Sequence, residues 1–81
     1  MIKIKIKCFS HVKHALGKDS LDINLKEGAT LESLENKVRT KAEGKLNGVS
    51  LRIALNKKYV TGDKVLKDGD EVAFIPPVQG G

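Results

Sequence analysis

The chain has 81 residues, which is room for one domain and too few for two. Hydrophobic residues make up 40% of it and recur at regular spacing, which excludes an intrinsically disordered chain. The net charge of +5 is compatible with nucleic acid, an anionic surface or an acidic protein as partner, and equally with a merely solvated surface. The single cysteine, Cys8, cannot form an internal disulfide, which fits a reducing compartment.

Membrane and nucleic-acid functions are both disfavoured. No apolar run approaches the ~20 residues that a membrane-spanning helix needs. The N-terminus interleaves lysine with isoleucine and so lacks the apolar stretch of a signal peptide. One tyrosine and two phenylalanines form no base-stacking motif. We therefore expect a soluble, cytoplasmic protein with no membrane and no nucleic acid among its partners.

The first half of the chain predicts two strands and a short helix. Isoleucine and lysine alternate from residue 2 to residue 7, and Cys8 continues the pattern, which predicts a strand with the isoleucines and Cys8 facing the core. Ser10 is a candidate N-cap for a short helix, and Gly17 stands where such a helix ends. A second strand follows, whose inward residues are Leu21, Ile23 and Leu25.

The second half predicts the main helix and three further strands. Thr30 is a good N-cap, and apolar residues then recur at helical spacing as Leu31, Leu34, Val38 and Ala42. A loop containing Gly44 and Gly48 leads to a strand over residues 51–55 and a short strand at 59–60. The last strand spans 71–75, with Val72 and Phe74 inward.

This element order predicts an α+β fold. We expect a mixed sheet of about five strands, packed on one main helix with a short helix beside it. Residues 1–75 form the predicted domain, and residues 76–81 form an extended C-terminal tail.

The domain carries little that resembles an active site. Cys8, His11 and His14 are spaced like metal ligands, but a closed zinc site needs four ligands and Cys8 belongs to the inward face. No glycine-rich phosphate loop and no catalytic carboxylate pair can be identified. We therefore expect no metal and no cofactor bound by this chain, and its status as an enzyme stays open.

The tail is more informative than the domain. Its residues are Pro76, Pro77, Val78, Gln79, Gly80 and Gly81. The two prolines favour an extended exit from the last strand. The two glycines lack side chains, so the terminal carboxylate can enter a narrow channel in another protein. The alternative is a frayed end or a cloning remnant.

The alternation of inward and outward residues along the strands predicts an exposed apolar patch beside the tail. Phe9 continues the outward phase of the first strand, and Ala73 and Ile75 face outward on the last one. Tyr59 follows a turn and is a candidate to join them. Such a patch predicts docking of a partner. The alternative is that Phe9 tucks under the short helix and Tyr59 covers the edge of the core.

Two stretches, residues 54–60 and 66–81, resemble one family over their whole length. The Asp-Gly-Asp-Glu-Val turn and the Pro-Pro-x-x-Gly-Gly end are the most specific parts. Together with the element order, they resemble the small subunits of molybdopterin synthase (MoaD), which are ubiquitin-like sulfur carriers of the β-grasp fold. The likeness spans nearly the whole chain.

The resemblance implies a function for the tail. Gly81 is adenylated, converted to a thiocarboxylate, and donates its sulfur to cyclic pyranopterin monophosphate to form the dithiolene of molybdopterin. Gly80 gives access to the reacting residue, residues 76–79 form the arm, and Phe9, Tyr59 and Ile75 contact partners.

Several partners are also implied. They are the synthase large subunit, in an assembly of two small and two large subunits, an adenylyltransferase similar to ubiquitin-activating enzymes, and a sulfur donor such as a cysteine desulfurase or rhodanese. ATP with Mg is used by the adenylating partner, and the catalytic groups belong to the large subunit.

Other functions share a Gly-Gly end. Sulfur carriers of thiamine synthesis and of tRNA thiolation have it, but the former are usually shorter and lack the Pro-Pro arm, and the latter are usually longer. A ubiquitin-like modifier conjugated through Gly81, and a binding module with an inert tail, also remain open.

Overall fold

The computed structural model describes residues 1–75, except for the side chains of Ser10 and His11. Seven elements follow in the predicted order. Their bounds are β1 Ile2–Cys8, α1 Ser10–Leu16, β2 Ser20–Leu25, α2 Leu31–Lys41, β3 Arg52–Leu55, β4 Lys58–Val60 and β5 Glu71–Ile75. Neither helix in this part of the chain has the length and apolar character needed to cross a membrane.

The five strands form one mixed sheet in the order β2-β1-β5-β3-β4. β1 and β5 come from opposite ends of the described chain and run parallel, whereas the other neighbours are antiparallel. Helix α2 covers one face of the sheet through Leu31, Leu34 and Val38, which are buried in the core. The predicted α+β architecture, a mixed sheet on one main helix, is therefore confirmed.

The core follows the alternation of the strands. In β1 the isoleucines and Cys8 are buried, while the lysines between them point to the opposite face. Val72 and Phe74 of β5 are fully buried, as predicted. Phe74 is the largest of the fully buried side chains, and truncating such a residue to alanine costs about 3–5 kcal/mol.

The two helices begin differently. Thr30 and Ser33 form a reciprocal capping box at the start of α2. Ser10 does not cap α1, so that prediction was wrong: Ser10 is already helical, and Phe9 is the N-cap, with extended backbone and no side-chain cap bond. The helix begins there because Val12 N donates to Phe9 O at 3.0 Å, directly after β1 ends.

The segment after α2 is more ordered than a glycine loop suggests. Leu46 is fully buried in the core. Arg39 donates to the carbonyl oxygens of Leu46 at 2.7 Å and Val49 at 2.8 Å, and its Nε donates to Glu35 at 2.9 Å. One guanidinium therefore joins the helix to the loop that leads into β3.

The acidic turn before β5 ties that strand to the start of β1. Lys3 N donates to Asp68 Oδ1 at 2.7 Å, and Gly69 N donates to Lys3 O at 2.9 Å. Gly69 has a φ of 87°, a conformation that glycine adopts without a steric penalty. The Asp-Gly-Asp sequence thus fixes where β5 enters the sheet, and so where its last residue, Ile75, leaves it.

Candidate functional site

A row of four side chains crosses the face of the sheet opposite α2. Strand register places Lys7 beside Ala73, Ala73 beside Ala54, and Ala54 beside Tyr59. Register partners lie on the same face, so the row has a charged end, a small apolar middle and an aromatic end. Ala54 is buried but does not belong to the hydrophobic core cluster, because it faces away from α2.

Phe9, Tyr59 and Ile75 stand around this row and line a single groove of about 690 Å³, here called the outer groove. Phe9 is 47% exposed and Tyr59 is 64% exposed, while Ile75 is half-buried. The structure therefore brings together the three residues predicted to bind partners, and Phe9 does not tuck under α1. Their role in binding remains a prediction.

Phe9 is the N-cap of α1, but its side chain forms no hydrogen bond that would stabilise the helix. N-cap positions favour Ser, Thr, Asn and Asp, whose oxygens accept a backbone N–H, and replacing such a cap by an apolar residue usually costs about 1 kcal/mol. Phe9 makes no cap hydrogen bond and instead lines the outer groove. Phenylalanine at this N-cap disfavours the helix and exposes an aromatic ring, which fits a surface used for binding.

The far wall of the groove is held by a tight turn. Asn56 and Lys57 connect β3 to β4 with φ values of 50° and 71°, as in the two-residue turns typical of hairpins. Asn56 Nδ2 donates to Asp70 Oδ1 at 3.0 Å, and Glu71 N donates to Asn56 Oδ1 at 2.9 Å. These bonds fix Lys57 on the rim of the groove, which it also lines.

Five charged residues line the groove: Lys7, Lys13, Lys57, Asp19 and Glu71. Lys13 and Asp19 pair at 2.7 Å, and this hydrogen bond and charge lower the pKa of Asp19, with a smaller contribution from Lys7. Lys7 itself has the uncharged strand partners Ser20 and Ala73. At the aromatic end, the Arg52 guanidinium lies 5.2 Å from the centre of the Tyr59 ring, in a cation–π arrangement.

The outer groove includes the last residue before the predicted tail. Ile75 lines the groove and is the last residue that the structure describes. The tail residues Pro76, Pro77, Val78, Gln79, Gly80 and Gly81 lie outside the described residues. The predicted boundary at residue 75 and the reactive role of Gly81 therefore remain predictions.

The side chains that the structure describes do not gather into a metal-binding group of three or more His, Cys, Asp or Glu residues. Cys8 is buried at the end of β1, and His14 is exposed on α1. Burial raises the pKa of the Cys8 thiol, and the negative charge of Asp19 adds to this effect. His11 has no described side chain, so its part in the predicted run of spaced ligands stays untested.

Sequence reasoning assigned only Phe9, Tyr59, Ala73 and Ile75 to this surface, and Lys7 and Ala54 are two of the lining residues that it missed. Lys7 was treated as one of three outward lysines, but only the parallel register of β1 with β5 places it next to Ala73. That register depends on contacts between distant parts of the chain, and no local pattern encodes it. The alternation along β3 alone could have identified Ala54, because Ala54 and Arg52 are two residues apart and so lie on the same outward face.

Comparison with known proteins gives one family and close relatives. The family model that matches is the ThiS family, over residues 6–81. The molybdopterin synthase sulfur carrier subunit of Escherichia coli is 35% identical over 81 residues, covering 96% of this chain and 99% of that protein. A Pyrococcus furiosus protein assigned as subunit 1 of molybdopterin converting factor has a TM-score of 0.86 and 33% identity, covering 96% of this chain and 100% of that one.

Two other solved structures bear on partners and on specificity. A complex of subunits 1 and 2 of the molybdopterin-converting factor from Helicobacter pylori contains a chain with a TM-score of 0.70 and 26% identity, covering 99% of this chain and 100% of that one. Small archaeal modifier protein 1 from Haloferax volcanii has a TM-score of 0.84 but only 16% identity, covering 96% of this chain and 100% of that one. The second likeness concerns the fold alone. The predicted ubiquitin-like β-grasp fold is confirmed.

Proposed function

Because the chain belongs to the ThiS family, we propose that it is the sulfur carrier subunit of a molybdopterin synthase. The observation that carries this proposal is the full-length similarity to relatives of that name, at 35% identity with 99% of the Escherichia coli protein covered. The outer groove supports it, because only residues 76–79 separate this partly apolar surface from the Gly-Gly end.

The proposed chemistry takes place at the Gly81 carboxylate. A carboxylate is a poor electrophile, so an oxygen of Gly81 first attacks the α-phosphorus of ATP and releases pyrophosphate, which leaves an acyl-adenylate. A thiol reductant releases sulfide from the donor's persulfide and is itself oxidised to a disulfide. The sulfide then attacks the acyl carbon and displaces AMP, and Gly81 becomes a thiocarboxylate. In the synthase the thiocarboxylate sulfur attacks cyclic pyranopterin monophosphate, water then cleaves the bond between the acyl carbon and the sulfur, and Gly81 returns to a carboxylate. Gly80 gives the reacting carbon room to enter a partner's active site.

In this proposal the chain supplies a binding surface and a reactive terminus, and its partners supply the catalytic groups. The adenylyltransferase holds ATP and Mg, a cysteine desulfurase or rhodanese supplies the sulfur, and the large subunit catalyses the transfer. The outer groove binds the large subunit through Phe9, Tyr59 and Ile75. The Helicobacter pylori complex of subunits 1 and 2 supports such a pairing.

Intact-mass measurement tests the proposal directly. The purified chain is incubated with an adenylating partner, ATP and a sulfide source. We expect a mass increase equal to the replacement of one oxygen by sulfur, and no increase in a variant that lacks Gly81. Addition of the large subunit and cyclic pyranopterin monophosphate then returns the original mass and yields molybdopterin.

Two results would support other functions. No mass increase with an adenylating partner that is active on another carrier would indicate a different pathway, such as thiamine synthesis or tRNA thiolation, or an inert tail. Covalent adducts in cell extract that resist reducing agents and require Gly81 would indicate a protein modifier joined by isopeptide bonds.

A further inference from the structure

A second surface lies on the opposite side of the sheet from the outer groove, between the edge strand β2 and helix α2. Two adjoining depressions of about 420 and 230 Å³ share Lys41. Together they form what we call the β2–α2 seam, lined chiefly by Leu16, Lys18, Leu21, Ile23, Lys37 and Lys41. The seam shares no lining residue with the outer groove.

The backbone of β2 is open along the seam. β2 pairs with β1 on one side, and no other strand within residues 1–75 pairs with it on the other. An edge strand presents unpaired N–H and C=O groups to any extended chain that approaches it. Proteins usually blunt such edges with lysine, proline, a bulge or short length, as in β4, which has three residues and begins with Lys58. β2 is six residues long and carries neither lysine nor proline.

The floor of the seam is apolar. Leu16, Leu21 and Ile23 are only partly buried, although they pack against the core. Their exposed portions form a strip beside the open edge, because Leu21 and Ile23 share the helix-facing side of β2. A chain paired with β2 would extend this apolar strip and remove it from water.

The charged residues that line the seam are all positive, and the one charged residue of β2, Asp22, faces the other side of the sheet with its register partner Lys5. Lys18 stands just before the strand, and Lys37 and Lys41 lie one turn apart on α2. No aspartate or glutamate lines either depression, and none of the three lysines has an ion-pair partner among the residues that the structure describes. Like charges at this helical spacing repel one another, so an acidic ligand would relieve an unfavourable interaction as well as form a favourable one.

We propose that the β2–α2 seam binds an extended acidic segment of a partner protein by strand addition. The segment pairs with the open edge of β2, places apolar side chains against Leu21 and Ile23, and directs carboxylates toward Lys37 and Lys41. The seam and the outer groove are separate, so such a segment can bind while the tail is engaged elsewhere. The proposal does not depend on the function of Gly81.

A synthetic peptide of nine residues tests this inference, with three central valines between two runs of three glutamates. Binding is measured by fluorescence anisotropy and by backbone amide hydrogen exchange in the full chain. We expect slower exchange at the edge amides of Ser20–Leu25. The Lys37→Gln/Lys41→Gln double variant should bind about tenfold more weakly, whereas Lys3→Gln/Lys5→Gln, which removes the same charge from the opposite face of the sheet, should bind like the unmodified chain.

Two control peptides separate strand addition from simple charge attraction. Proline in place of the central valine removes a backbone donor and should abolish the protection of β2. Lysine in place of the glutamates should abolish binding. The inference is overturned if the acidic peptide fails to bind, if the proline peptide binds equally well, or if both double variants lose affinity alike. Protection of β2 that appears without peptide and grows with protein concentration would also overturn it, in favour of pairing between two copies of the chain.

Discussion

Phe9 and Ile75 occupy equivalent positions, because Phe9 follows Cys8 of β1 and Ile75 follows Phe74 of β5. Cys8 and Phe74 are register partners in these parallel strands. Both strands therefore end at the same edge of the sheet, and the two residues line the outer groove together. In the sequence, β1 is followed by helix α1, and β5 is followed by the C-terminal residues 76–81. A partner bound in the outer groove would therefore lie next to Ile75, the last residue that the structure describes.

Replacing Phe9 by serine should separate binding from folding. Serine supplies the oxygen that an N-cap needs, which offsets the loss of a half-exposed ring, so we expect the free energy of unfolding to change by less than about 1 kcal/mol. We expect the affinity for the synthase large subunit to fall at least about tenfold, because exposed aromatic anchors dominate interfaces. Urea denaturation and titration calorimetry measure the two effects.

Val65→Ala is the matched control for Phe9→Ser. Val65 is 63% exposed and does not line the outer groove, so its truncation should leave the affinity for the large subunit unchanged. Equal losses in both variants would mean that exposed apolar area, and not the outer groove, determines binding.

Arg39 should be needed for its shape as well as its charge. Its planar guanidinium reaches Leu46 O, Val49 O and Glu35 at once, which a lysine ammonium cannot do. We expect Arg39→Lys to lower the free energy of unfolding by about 2 kcal/mol, since part-buried bonds from a charged donor are lost. The exposed Lys45→Ala should cost less than about 0.5 kcal/mol. Indistinguishable urea midpoints for Arg39→Lys and the unmodified chain would contradict this account.

The local pattern of the sequence was sufficient for the elements and for part of the candidate site. Alternation predicted which residues of β1 and β5 face the core, and helical spacing predicted the buried face of α2. The same parity placed Phe9 and Ile75 on the outward face, which is why their proximity could be expected before the structure.

Long-range bonds could not be predicted in this way. Asp63 Oδ1 accepts a hydrogen bond from Glu32 N at 2.9 Å, so a residue of the loop after β4 helps to cap α2. Asn56 and Asp70 likewise join two turns that are distant in sequence. Each of these residues is common in turns. The local sequence does not show from which distant N–H group its oxygen will accept a hydrogen bond, or to which carboxylate its amide will donate one.

The pKa of Asp19 should respond to one neighbour above all. The hydrogen bond and charge of Lys13 lower it, so Lys13→Met should raise it, as measured by carboxyl NMR titration. A carboxylate with a lowered pKa stabilises the fold above its unfolded pKa, and this contribution is lost as pH falls through its folded pKa. Because the pair is exposed, the effect on stability should be small. Lys18→Met, which removes a neighbouring cation outside this pair, should leave the titration of Asp19 nearly unchanged.

Cys8 is the only other sulfur-chemistry candidate in the chain, and the structure argues against it. The residue is 4% exposed, and burial raises the pKa of its thiol, with a further contribution from Asp19. A raised pKa leaves less thiolate at any given pH, so alkylation by iodoacetamide should be much slower in the folded chain than in urea. The same shift means that the neutral thiol supports folding at and below neutral pH, and that stability falls as pH rises through the folded pKa.

We therefore expect Cys8→Ala to load sulfur at Gly81 to the same extent as the unmodified chain, when intact mass is recorded after incubation with the adenylating partner, ATP and sulfide. The substitution removes a small buried side chain, so its cost should appear in the urea midpoint and not in the mass shift. Loss of the shift in a folded Cys8→Ala chain would mean that sulfur passes through Cys8 before it reaches Gly81. Such a route would require the buried thiol at the end of β1 to become exposed during loading, and faster alkylation of Cys8 in the presence of the adenylating partner would reveal it.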